Sequence, residues 1–231
     1  GAPLDTWVFP ADHANAHSML CLYGLEEWGD MPQGIAVQVW PSPGNLNRLG
    51  PVVTRATALS VRSRLSWPRD QPPRLADFLV REGLAAISVA TRFPHLTIPW
   101  AVPFAPAPDW HDALAHIATR AGVARYADMP VNTYGVVAPA GERHLAKPVE
   151  LAPDDSDYAR AVLQADLGAT DPARIAGYLY GDAAISTTGH PAVGMSPFAG
   201  IAMAHTLVQA TIARRGLTLV DAMRMATNDL L

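Results

Sequence analysis

The stretch 181–215 constrains this chain more than any other. It reads GDAAISTTGHPAVGMSPFAGIAMAHTLVQATIARR, a loop of small residues followed by a long run with no Asp, Glu, Lys or Arg between Asp182 and Arg214. From Pro197 onward, Phe198, Ile201, His205, Val208 and Ile212 share one helical face, and Met203, Leu207 and Ala210 make the opposite side apolar as well. A helix apolar all round is buried all round. The spacing therefore predicts a buried helix over 197–215, stopped by Gly216, with other elements packed around it. Gly200 and Ala204, one turn apart, let another backbone come close to it, within the fold or between subunits.

Upstream, the chain reads as richer in strands. Residues 34–40 (GIAVQVW) predict a strand, and PSPGNLNRLGP (41–51) predicts a loop by its Pro, Gly and Asn content. Over 59–67 the alternation of Leu59, Val61, Leu65 and Trp67 against Ser60, Arg62, Arg64 and Ser66 has period two, the pattern of a half-buried strand. Residues 74–82 predict a helix closed by Gly83 at a left-handed C-cap, and 84–91 (LAAISVAT) the next strand. Five prolines over 92–108 (Pro94, Pro99, Pro103, Pro106 and Pro108) predict an extended arm, because proline cannot donate to a sheet ladder.

A helix over 109–121 and a short strand over 133–137 complete that part. Every tryptophan lies at or before Trp110. After about 141 the chain reads as helical. Asp154, Asp155 and Asp157 crowd the first turn of a helix ending near Gly168. Thr170 or Asp171 caps another, with Pro172 at its first position. Thr218 and Asp221 frame a last helix in capping-box spacing. The fold class expected is thus α+β, or mixed α/β. Residues 1–140 form a strand-rich part with a Pro-rich arm at 92–108, and 141–231 form a helical part packed as one domain around the buried helix.

Composition narrows the partners. Of the 231 residues 49% are hydrophobic but only 16% charged, against roughly 25% in ordinary soluble domains. A globule needs charge to cover its outside. The shortfall predicts extensive contacts with other subunits, whose interface cores are poor in charge and enriched in aromatics and Met. A GC-rich genome accounts for part of the bias, since Lys147 is the only lysine. A net charge of −4 with no Lys/Arg cluster speaks against a direct grip on nucleic acid. Cys21 is the only cysteine, so no disulfide forms within the chain, and a reducing compartment is the default. No run approaches the roughly 18 apolar residues of a membrane span, and no signal-peptide pattern opens the chain. The start at Gly1 and the helical ending MRMATNDLL read as cuts from a longer product.

Two constellations could carry chemistry. His13, His17 and Cys21 lie four apart on a short predicted helix (12–21) and could present three metal ligands. Without them no cofactor is expected. Asp182, His190, Ser196 and His205 lie close in sequence, and the start of the buried helix could hold an oxyanion on its free N–H groups. The plainer reading makes Ser196 the N-cap and Pro197 the first helical residue. The loop lacks the lysine of a phosphate-binding loop, and the residues around Ser196 lack the second glycine of a nucleophile elbow. His95, His111, His116 and His144 stand apart, with no paired acidic motif.

SPFAGIAMA (196–204) resembles the protease loop of Lon-type peptidases, but Phe198 stands where that family has its nucleophile. Gly181-Asp182 before a Pro/Gly loop resembles the flavin site of aromatic hydroxylases, with no G-x-G-x-x-G upstream. Neither activity is implied. The reading that unites these observations is a structural, self-associating subunit of a large assembly, most concretely a viral capsid or shell protein or a cleaved piece of one. Its partners would be copies of itself or other shell subunits, its location the virion or cytoplasm. The alternative is a small-molecule hydrolase or transferase using Ser196 with His190 or His205 and Asp182. The residues lean away from an enzyme.

Overall fold

The computed structural model describes residues 5–10, 20–23, 34–39, 43–66, 68, 70–101, 151–185 and 190–231. The helix expected over 109–121, the strand over 133–137, and Pro103, Pro106 and Pro108 lie outside these. Three short strands, β1 (Asp5–Pro10), β2 (Leu20–Tyr23) and β3 (Gly34–Val39), form a small sheet of order β1-β3-β2. In it β3 runs parallel to β1 and antiparallel to β2. The rest is helical: α1 (Pro43–Ser66), α2 (Leu75–Arg92), α3 (Pro153–Ala165), α4 (Pro172–Tyr180), α5 (Asp182–Ile185), α6 (Ala199–Arg215) and α7 (Leu219–Arg224). Single 3-10 turns stand at Pro99–Ala101 and Thr227–Asp229.

The chain is therefore mostly helical among the described residues, and the expected α+β class with a strand-rich first part is overturned. Its longest helix lies where a loop and a strand were expected, and the next longest extends the expected helix over 74–82 through the expected strand over 84–91. Residues 43–51 of the expected loop and 59–66 of the expected strand both lie in α1, which continues through Pro51. Packing overrides local propensity here. Val52, Ala56 and Leu59, spaced four and three apart, are wholly buried, as are Ser60 and Arg62, while Leu65 is exposed. That is a 3.6-residue period, so the alternation around Leu59 is incidental.

Gly83 does not end a helix, and 84–91 is not a strand; both lie inside α2. A Cβ at Gly83 would stand 2.5 Å from the Ala204 carbonyl oxygen of α6. Glycine inside a helix costs about 1 kcal/mol relative to alanine. Forcing a side chain into a packed contact costs typically 1–3 kcal/mol, so glycine is the better residue here. On α6 itself a Cβ at Gly200 would overlap the Tyr178 carbonyl of α4. The small-residue spacing of Gly200 and Ala204 is thus used within the fold, and it lets α6 sit between α2 and α4.

The core divides around these contacts. Leu75, Leu79 and Trp100 pack with Leu163, Ile175, Leu179, Phe198 and Ile201. A second cluster joins Leu59, Val80 and Leu84 to Val208, Ala222 and Leu230. Only the first six residues of α6 are buried without a break, however. Beyond them Val208 and Thr211 are buried, but Thr206, Gln209, Ala210 and Ala213 to Arg215 are exposed, so α6 is not buried all round.

Helix ends follow local chemistry. The Asp171 carboxylate accepts the Arg174 amide at 2.7 Å. Thr218 and Asp221 form a reciprocal capping box. Gly216 (φ 62°) turns the chain so that the Leu217 amide donates to the Ile212 carbonyl at 3.0 Å. The start of α6 differs from expectation. Ser196 is not its N-cap; Phe198 is, with φ 60° and no side-chain cap. The reason is that the Phe198 amide donates to the Tyr180 carbonyl at 3.2 Å, while its ring is wholly buried beside Trp100 and Tyr180. Burying that ring outweighs the roughly 1–3 kcal/mol of a left-handed backbone.

Gly200→Ala should lower unfolding stability in urea titrations by about 1–3 kcal/mol. Gly168→Ala, where an added Cβ meets nothing within 4 Å, should stay within about 0.5 kcal/mol of the parent.

Candidate functional site

The turn that feeds α6 is the first place to seek the expected chemistry. Asp182, at the start of α5, accepts the Val193 amide at 2.7 Å on one carboxylate oxygen and the Gly194 amide at 3.0 Å on the other. Its own amide donates to the Met195 carbonyl at 3.0 Å. Gly181, at φ 92°, lies so close to Ser196 and Pro197 that a Cβ would stand 2.7 Å from the Ser196 carbonyl oxygen. From the other side the Tyr158 hydroxyl reaches over Gly194, within 2.6 Å of where a Cβ would be. Asp182 thereby fastens the segment 193–198 onto the end of α4.

The other expected residues do not gather around it. His190 and Ser196 are exposed, and Ser196 uses its backbone carbonyl to accept the Ala199 amide at 3.1 Å. His205 lies on α6, half-buried, with its Nε2 shut away from solvent and without a hydrogen-bond partner among the described residues. Among those residues no hydrogen bond joins Asp182, His190, Ser196 and His205 to one another. The metal constellation fares differently. Cys21 lies in strand β2, so it is not on the helix expected over 12–21, while His13 and His17 lie outside the described residues. No group of three or more His, Cys, Asp or Glu able to hold a metal occurs among the described residues.

Besides Asp77, which accepts the Arg74 amide at the start of α2, three charged side chains are buried among the described residues. Arg55 of α1 and Glu82 of α2 form an ion pair sealed between the two helices. Arg62, 2% exposed, reaches the end of the chain. It donates to the Met223 carbonyl at 3.0 Å, the Met225 carbonyl at 2.6 Å and the Thr227 hydroxyl at 3.3 Å. Desolvation lowers its pKa, and the Asp77 carboxylate acts in the opposite direction. No local pattern marks these residues, because the partners lie far apart in the chain.

The described surface also carries an open groove of about 820 Å³ between α1, α2 and α7. Its walls are Leu49, Val53, Val61, Leu219, Val220 and Met223 among other side chains, with Arg92 its only charged lining residue. The hydroxyls of Thr57 and Ser88 are used within their own helices, on the Val53 and Leu84 carbonyls. Among the described residues the groove thus offers apolar contact and one cation. No helix among the described residues is long and apolar enough to cross a membrane. No family model matches the chain, and comparison with curated proteins and with solved structures found no match.

His205 supplies a pH test. Burial lowers its pKa, since the imidazolium would lose hydration without gaining a partner. Below the ordinary value of about 6.5 the unfolded chain takes up this proton while the folded chain resists it, so acid destabilises the fold. The contribution is fully present above that value and is lost as pH falls below it. His205→Leu should flatten the decline of Tm between about pH 6.5 and 5 in scanning calorimetry. An unchanged slope would mean that His205 takes up its proton equally easily in the folded chain.

Proposed function

We propose that this chain is a non-catalytic, self-assembling subunit of a large oligomer, a viral capsid or shell protein being the most concrete form. The observation that carries this reading is apolar exposure on a chain poor in charge. Val220 is 59% and Leu65 53% exposed, and Val220 stands on the rim of the open groove. Single exposed apolar residues are ordinary; an apolar groove bordered by them is the kind of surface that partners cover. With only 16% charged residues in the whole sequence, covering this surface with neighbours is more favourable than hydrating it. The partners are then copies of the same chain or other subunits of the same shell.

The hydrolase or transferase alternative asks Asp182 to orient an imidazole. Both of its oxygens already hold backbone amides, which accounts for the residue without chemistry. Ser196 and His190 face solvent, as loop residues do.

Sedimentation velocity and light scattering on the purified chain test the reading. The expected result is a discrete species many times the mass of the 24.6 kDa chain, growing with concentration. Because the contact is apolar, it should survive about 1 M salt, which screens surface charges beyond about 3 Å. A monodisperse monomer at every concentration would overturn it.

A further inference from the structure

We propose that the groove between α1, α2 and α7 receives the first two turns of α3 from a second copy of this chain, in a head-to-tail contact. This rests on the self-assembly reading above and names the surfaces that would meet.

The groove specifies its occupant in two respects. Leu49, Val53, Thr57 and Val61, spaced four apart on α1, form an inclined ridge along one wall, and exposed Leu65 lies one turn beyond Val61. The opposite wall carries Val220 and Met223. Such a cleft suits an apolar or aromatic body. Among the described lining residues the exposed Arg92 is the only charged one, and none is acidic. Arg64, one turn beyond the groove residue Val61 on α1, is exposed as well. The occupant should therefore carry negative charge beside its apolar part.

The start of α3 combines these two properties on the described surface. Tyr158 is 58% exposed, and its hydroxyl rests over Gly194. An aromatic already held in place loses little freedom on docking, and tyrosine is a frequent anchor of interfaces. Beside it stand Asp154, Asp155 and Asp157, all exposed. Among the described residues only Asp157 has an ion-pair partner, Arg160 at 3.8 Å. In its own chain α3 packs mainly against α6.

A two-fold contact of groove on groove is the main competitor. It would bring together two rims that each carry Arg92 without an acidic wall residue, and like charges in an apolar contact are costly. Joining two different surfaces avoids this. It also gives a heterologous contact, the type that closes rings or extends an assembly beyond a dimer.

A charge-swap cycle on the full chain, read by sedimentation equilibrium, tests the pairing. Arg92, Asp155 and Val220 are exposed, so substitutions there should leave the circular-dichroism melt close to that of the parent. Arg92→Glu, Asp155→Arg and Val220→Asp should each weaken self-association by about tenfold or more. The double variant Arg92→Glu/Asp155→Arg should recover most of that loss, which no independent pair of surface changes would do. If Arg92→Glu weakens assembly but Asp155→Arg does not, a two-fold or foreign occupant fills the groove and the pairing is overturned while self-assembly stands. The pairing is overturned in the same way if the parent assembles and none of the variants changes it. A monomeric parent removes both readings at once.

Discussion

The fold depends on how closely α6 can approach its two neighbours. Gly83 of α2 faces the carbonyl of Ala204, and Gly200 faces the carbonyl of Tyr178 on α4. At Gly200 backbone meets backbone, and at Gly83 the Ala204 carbonyl and the Val208 side chain fill the space that a Cβ would take. Dispersion falls steeply with distance, so such contacts require near-complete fit, and a single added methyl spoils it. The rest of the core is arranged around this wedge. Phe198 enters just before it, in a left-handed turn that the buried ring and the bond to Tyr180 hold in place. Asp182 then ties down the segment that delivers Phe198. The residues in which chemistry was sought serve this entry: an acid fastens a loop so that an aromatic can start a helix.

Buried charge marks the other side of the bundle. Removing an ion from water costs several kcal/mol, and the attraction between partners returns that only with good geometry. Arg55 and Glu82 meet across α1 and α2, yet the Glu82 Oε1 has no hydrogen-bond partner among the described residues. Arg62 is better served, since hydrogen bonds from a charged donor contribute roughly 1.5–3 kcal/mol each. It directs its guanidinium at the carbonyls of Met223 and Met225, groups that the end of a short helix leaves without partners. The same side chain therefore offsets its own burial and holds the end of the chain against α1.

What the residues reveal in advance is local. The Asp171 cap, the Thr218–Asp221 box and the Gly216 stop are decided by residues within a few positions of one another, and all three are present. The tight face of α6 is legible as well, because small residues one turn apart have few other uses. What fails is decided at a distance. Gly83 looks like a helix end until Ala204 arrives against it, and the prolines and glycines around Pro51 look like a loop until Val52, Ala56 and Leu59 are seen buried together. Ser196 has every local mark of an N-cap, but the burial of Phe198 moves the helix start past it. Arg55, Glu82 and Arg62 carry no motif, since each finds its partner through folding alone.

These interior charges bear on the exterior. The chain has few ionic side chains, and Arg55, Arg62, Asp77 and Glu82 are taken inside. Fewer remain to hydrate the outer face of α1, where Val53, Val61 and Leu65 follow one another a turn or two apart. A monomer of this size could have reversed the arrangement, with apolar residues in place of the ion pair at little loss or even a gain in stability, and the charges set on the outer ridge. The distribution found here suits a molecule whose α1 face is covered by a neighbour. An apolar ridge there would strengthen the proposed contact between copies, whereas added charge would weaken it.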